Sequence, residues 1–384
     1  MEIVRLKKEN YDELIELLNL VFTRKNGREM DFEQELLKMC VRDDERMGRH
    51  FGIFENDKLV AALGVYPLPV DIAKERLLFS TVGNIATHPD YEGRGYMNRL
   101  IERAMQELDD LNVDASRLGG LRQRYNRFGY ETCGRVYTFS LSDYNVKRKI
   151  AEKAQGVEFT KILREDISTL KLAKALQSAS GIAVERSSDN DHADVYASMV
   201  AWKNIPWLAT KNGKVLGYLC ASENGRSVAE NYAYDTECMQ AMLGAWQQRV
   251  GETIGFRFQP YETMNIRAFS SICENVNIVA PCHFKIVKWE RVIGALMRLK
   301  ATYTIMPKGE FTMEIEGYGG LRLYVNERGV GCEKYAGECE VKLDSLAASR
   351  YLFGILPPDC TGEANELVSS WLPLPLSWNL QDRV

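Results

Sequence analysis

Between Tyr11 and Phe22 the apolar residues Leu14, Leu17, Leu18, Val21 and Phe22 recur three and four positions apart, which predicts an amphipathic helix. The stretch HFGIFENDKLVAALGVYPLPV then sets two apolar runs on either side of Asn56-Asp57, the signature of a hairpin. Arg76 to Thr87 reads as a further strand. After it, Met97, Leu100, Ile101, Ala104, Met105 and Leu108 form the buried stripe of a helix ending near Leu111. YTFSLSDY predicts a late strand, and the charged run NVKRKIAEK a linker.

The pattern then partly repeats. WLATKNGKVLGYLCASENG, Trp207 to Gly225, has the plan of FGIFENDKLVAALGV: strand, Asn-containing turn, Lys, strand. Such self-similarity points to a duplicated unit. From Trp289 the texture changes. KWERVIGALMRL is helical, while Phe311, Met313 and Ile315, Leu321, Leu323 and Val325, and Cys339, Val341 and Leu343 alternate with polar residues as half-buried antiparallel strands do. LDSLAASRYLFGI follows as a helix with Asp344 or Ser345 as its cap. The proline-rich end, WLPLPLSWNLQDRV, is apolar enough to lie docked and extended. The expected architecture is mixed α/β of the α+β class, in three domains at 1–148, 149–288 and 289–384.

Composition narrows the function. Lys plus Arg total 49 against 53 Asp plus Glu, a net charge of -4 and the wrong sign for a generic nucleic-acid binder. No apolar run is long enough for a membrane span, and the N-terminus lacks the pattern of a signal peptide. Nine cysteines without a CxxC pair argue against a disulfide framework and a structural zinc site, and fit a reducing cytoplasm. The four histidines, His50, His88, His192 and His283, form no metal-binding pattern, so no metal is expected.

One stretch carries candidate chemistry: ATHPDYEGRGYMNRL, Ala86 to Leu100, sits between a predicted strand and a predicted helix. A helix start without side-chain bulk exposes unpaired backbone N–H groups, which with the helix dipole suit phosphates. Gly93 and Gly95 allow close approach of a pyrophosphate, and Arg94 adds charge. The P-loop lysine and a GxGxxG are both absent.

These residues resemble the cofactor motif of the GNAT superfamily of N-acetyltransferases, with Ile85 and Thr87 at the strand positions, Pro89 at the proline and Gly95 at the central glycine. Glu92 departs from the usual Gln or Arg, and Met97 from the usual Gly or Ala. RQRYNRFGYE, Arg122 to Glu131, is similar to a second segment of that superfamily, whose tyrosine is a general acid. The chain as a whole resembles the three-domain enhanced-intracellular-survival (Eis) acetyltransferases, with tandem GNAT-type mixed sheets flanked by helices, the second copy degenerate, and a small sterol-carrier-protein-like last domain.

The resemblance implies acetyl-CoA as cosubstrate, bound by Ile85, Ala86, Thr87, Gly93, Arg94, Gly95, Tyr96, Met97, Asn98, Gly120 and Leu121. It implies direct transfer to a primary amine, with Tyr125 protonating the departing thiolate and the terminal carboxylate of Val384 as base; Asp382 is a rival carboxylate. Aminoglycosides, polyamines and lysine side chains fit as acceptors, and a homo-oligomer is implied, a hexamer being the form suggested. No nucleic-acid or membrane partner is expected. The alternative is a non-catalytic CoA- or lipid-binding protein with a degenerate site, the reading that Glu92 favours.

Overall fold

The computed structural model describes residues 2–186 and 193–383. The N-terminal stripe forms the helix Tyr11–Asn26, one turn longer than its periodicity predicts; Gly27 ends it at φ 65, a left-handed conformation that carries no Cβ penalty. Asn56 and Asp57 take φ of 50 and 59 between the strands His50–Glu55 and Lys58–Ile72, a turn whose twist matches that of the strands it joins. The next strand is Glu75–Thr87 and the next long helix Tyr96–Asp110, both within a residue of their patterns.

These strands belong to an eight-stranded sheet ordered Ile3–Arg5, His50–Glu55, Lys58–Ile72, Glu75–Thr87, Ala115–Leu118, Cys282–Ile286, Glu131–Cys133, with Ile182–Val184 on the far end of Lys58–Ile72. Glu75–Thr87 and Ala115–Leu118 run parallel and pair from Phe79 with Ala115 to Val82 with Leu118. Two residues on, Asn84 takes φ 52, and the register against Lys58–Ile72 shifts between Ala62 and Gly64. A bulge bends its strand. Glu75–Thr87 runs on beyond Val82, past the end of Ala115–Leu118, with no strand among the described residues paired to it on that side.

A second sheet runs Val228–Ala233, Lys214–Ala221, Ile205–Lys211, Val157–Lys161, and the last runs Gly329–Tyr335, Gly319–Asn326, Gly309–Ile315, Val341–Leu343. A three-stranded sheet centres on Val136–Leu141, which pairs with Ile254–Phe258 and Asn275–Val279. Sheets thus interleave across residue 148: Val136–Leu141 reaches forward, and Cys282–Ile286 inserts between Ala115–Leu118 and Glu131–Cys133. The run expected as a linker is instead helical, Asp143–Lys149 and Ala151–Ala154. Ser142 and Asn145 cap it reciprocally, and Val146 and Ile150 are buried in the second core, so its lysines cover an outer face.

In the C-terminal unit Phe311, Met313, Ile315, Leu321 and Leu323 turn inward to the helix Trp289–Ala301 and to Ser345–Phe353, whose cap is Asp344 accepting from the Leu346 and Ala347 amides. Leu374 and Leu376 of the tail are fully buried, and Trp378 stacks on Phe79 at 5.9 Å. The end of the described chain is therefore led back to the strand Glu75–Thr87.

Candidate active site

Gly93 and Gly95 take φ of 79 and 80, and a Cβ on either would meet nothing within 4 Å. They serve backbone shape and access, since packing does not require them. No side chain caps the helix Tyr96–Asp110 that Gly95 opens, so its first amides face a cleft of about 700 Å³. Ile85, Thr87, Gly93, Gly95, Tyr96, Met97, Asn98 and Tyr125 all line it. Ala86, between two lining residues on an alternating strand, is buried on the opposite face against the Tyr11–Asn26 helix.

Arg94 behaves differently from the expectation. Its guanidinium bonds the Glu55 carboxylate at 3.0 Å and lies over the Tyr91 ring at 4.6 Å, so it is held by neighbours and is not among the cleft-lining residues. The cleft's positive charge comes from Arg24, Lys25 and Arg124, with Glu92 also on its wall. Arg24 and Lys25 were not singled out from the sequence. They sit in the extra turn of the first helix, outside the apolar stripe, and only the tertiary fold aims them at the cleft.

Tyr125 is 6 % exposed, and burial pushes its phenol pKa up, partly opposed by Arg124. A phenol that holds its proton is suited to donating one. Its ring lies against Gly120, whose φ is 126; a Cβ there would come within 2.8 Å of a ring carbon. The Gly120 carbonyl is 2.7 Å from His283 Nε2, and Thr132 Oγ1 is 2.7 Å from Nδ1. A carbonyl only accepts, so Nε2 carries a proton. Behind Tyr125, Glu131 is fully buried. Arg122 bonds both its oxygens, at 2.5 and 2.7 Å, and Arg350 adds a third bond. Burial alone would raise the Glu131 carboxyl pKa, but Arg122, the Thr132 amide and Arg350 together outweigh it and hold it below the ordinary value.

A second cavity, about 670 Å³, adjoins through Gly120. The first helix divides the two spaces: Val21, Arg24 and Lys25 face the cleft, Phe22 and Asn26 the cavity, as i, i+3 and i+4 spacing allows. Leu380, Gln381 and Arg383 of the tail line the cavity, beside Arg117, Gly119 and His283. Val384 lies outside the described residues, as do 187–192. Leu121 is 58 % exposed and lines neither space. Asp382, the rival carboxylate, is committed elsewhere: both its oxygens accept from Arg186, at 2.9 and 3.1 Å, in a buried cluster with Glu230. Among the described residues no three His, Cys, Asp or Glu side chains are gathered as a metal site, and no helix is long and apolar enough to cross a membrane.

Residues 2–133 match the sequence profile of the acetyltransferase (GNAT) domain. No curated protein matches the chain. Its fold is shared with Eis1 from Mycobacterium abscessus, at a TM-score of 0.65 and 14% identity over 99% of this chain and 98% of that one. A GCN5-related N-acetyltransferase from Anabaena variabilis gives 0.65 and 14%, covering 98% of each chain, and one from Kribbella flavida 0.63 and 15%, covering 91% of this chain and 88% of that one. Residues 2–133 thus form an acetyltransferase (GNAT) domain, and in class the protein is an acetyl-CoA-dependent N-acetyltransferase.

Proposed function

We propose that the 700 Å³ cleft takes acetyl-CoA and that an amine enters through the adjoining cavity. One observation carries this reading: uncapped helix amides, the strand end at Ile85 and Thr87 and the Tyr125 side chain all border one space. The pyrophosphate rests on the amides of the glycine corner, with Arg24, Lys25 and Arg124 supplying countercharge. The pantetheine arm follows the strand edge past Val82, where pairing with Ala115–Leu118 has ended. A strand amide near Thr87 polarises the thioester carbonyl.

The amine nitrogen attacks that carbonyl carbon. The C–N bond forms, the C–S bond breaks, the leaving sulfur takes the Tyr125 proton, and the second proton the nitrogen loses as the amide forms returns to Tyr125 through water. The terminal carboxylate of Val384 receives the proton the ammonium loses, directly or through water; that Leu380, Gln381 and Arg383 line the cavity supports this role. Of the binding residues expected from sequence, Arg94 and Leu121 drop out of this proposal, while Gly120 acts by seating Tyr125.

The proposal retains a GNAT unit to 148, a degenerate copy to 288 and a sterol-carrier-like unit beyond, whose sheet is filled on its apolar face by its own helices and which docks the tail. Location in a reducing cytoplasm suits nine unpaired cysteines. Assembly as a homo-oligomer is tested by light scattering. For the reaction itself, calorimetry with CoA should give a heat, and Tyr125→Phe should lower kcat about a hundredfold or more with CoA binding retained. Transfer indifferent to that substitution removes Tyr125 from the role.

A further inference from the structure

Two arginines among the described residues are almost fully buried, and their surroundings differ. Arg186, 6 % exposed, is matched by two carboxylates, Glu230 and Asp382. Arg117, 2 % exposed, has none among the described residues. Its Nη1 makes a 3.4 Å bond to Thr81 Oγ1, its Nε has no partner, and its cation lies 5.4 Å from the Trp378 ring centre. A buried guanidinium without a counter-ion is unfavourable unless an anion completes it.

Arg117 lines the 670 Å³ cavity, and it is accompanied there. Arg383 lines the same wall, and among the described residues its guanidinium bonds only the Pro281 carbonyl, at 3.0 Å. Arg257 lies close enough for its charge to oppose that of Arg383, and its Nε is also buried without a partner. Burial and the charge of Arg383 lower the pKa of Arg257 to about 10, and burial and the charge of Arg117 lower that of Arg383 to about 10. No Asp or Glu is among the cavity's described lining residues. The carboxylate proposed above as the base offsets one of these positive charges and leaves the others unmatched.

We propose that the acceptor is an amine that also carries a carboxylate, an amino acid or a similar amino acid-like molecule, and that Arg117 and Arg383 receive that carboxylate while the amine faces Tyr125. This rests on the acetyltransferase reading of the cleft and replaces the polycationic acceptors the resemblance implied. The group transferred is unchanged: the acceptor nitrogen takes the acetyl carbon, the thiolate takes the Tyr125 proton, and the carboxylate remains a handle. A planar guanidinium matches a carboxylate through two parallel bonds and repels a second cation.

The test is thiol release by the full chain at saturating acetyl-CoA. Glycine, leucine, phenylalanine and lysine are each compared with the corresponding amide, beside spermidine and an aminoglycoside. The acid should exceed its amide in kcat/KM by about tenfold or more, and in Arg117→Gln and Arg383→Gln that ratio should fall to within about twofold. Arg383, near the chain end, carries the test if the Arg117 variant fails to fold. Polycations outperforming the acids, acids and amides reacting equally, or a ratio unchanged in the variants overturns the proposal. Calorimetry separates the two levels: absence of a CoA heat removes the acetyltransferase reading itself, whereas a CoA heat with transfer to spermidine alone removes only the acceptor assignment.

Discussion

Gly120 and Tyr125 show how little the site tolerates at the scale of single residues. Gly120 combines φ 126 with a ring carbon 2.8 Å from where a Cβ would stand. Gly120→Ala therefore strains the backbone, at about 1–3 kcal/mol, and displaces the proposed acid. Misplacement on that scale lowers kcat by up to about a hundredfold, a loss to be read beside a thermal melt. Glu92 makes the opposite case: its carboxylate stands on the wall where phosphates are proposed to bind. Glu92→Gln should tighten CoA by about two- to fivefold, the worth of one charge near a helix start. Calorimetry at two salt concentrations checks this, since screening should shrink the gain. The glycines were legible in the sequence because their spacing is local. Arg24 and Lys25 were not, because a cation beside an apolar stripe looks the same whether it faces solvent or a cleft.

Two strand-to-helix corners in this chain differ at the level of the element. In the first, Gly95 opens Tyr96–Asp110 without a side-chain cap; in the second, Asp235 opens Thr236–Val250 and its carboxylate accepts from the Cys238 amide. The copy has filled with its own anion the kind of position that the first leaves for a ligand. That difference was readable from the missing glycines alone. The turn Arg122–Tyr125 was readable as a motif but not as a clamp, because Glu131 gathers Arg122 from nearby and Arg350 from 219 residues away. The clamp has a pH consequence. With its folded pKa depressed, Glu131 contributes stability that is full above its unfolded value of about 4.3 and is lost as pH falls through the lower folded one. Melting temperatures of wild type and Glu131→Gln should accordingly differ most near neutrality and converge in acid. A gap that stays constant to pH 3 would show that the carboxylate's charge is not what matters.

Across the whole molecule, function depends on where the chain's end is carried, and this had no local signature. Alternating and helical periods place residues on faces of one element; they do not bring Cys282–Ile286 into the first sheet or Gln381 to the loop after Ala115–Leu118. The tail is fixed by deeply buried polar groups. Arg186 bridges Glu230 and Asp382; the Tyr218 hydroxyl donates to Glu230 at 2.7 Å, Asn379 Nδ2 donates to the same carboxylate at 2.9 Å, and Lys38 donates to the Gln381 carbonyl at 2.6 Å. Such a cluster adds little over an apolar core, but losing one member leaves charge without a partner. Glu230→Gln should thus lower the urea-derived stability by about 3 kcal/mol. Because the same glutamate anchors Asn379, the tail that lines the acceptor cavity should loosen as well, raising KM for the amine more than for acetyl-CoA. If stability falls while both KM values hold, the cluster secures the fold without positioning the tail, and the acceptor cavity must be held in shape by Trp378 on Phe79 and the buried leucines before it.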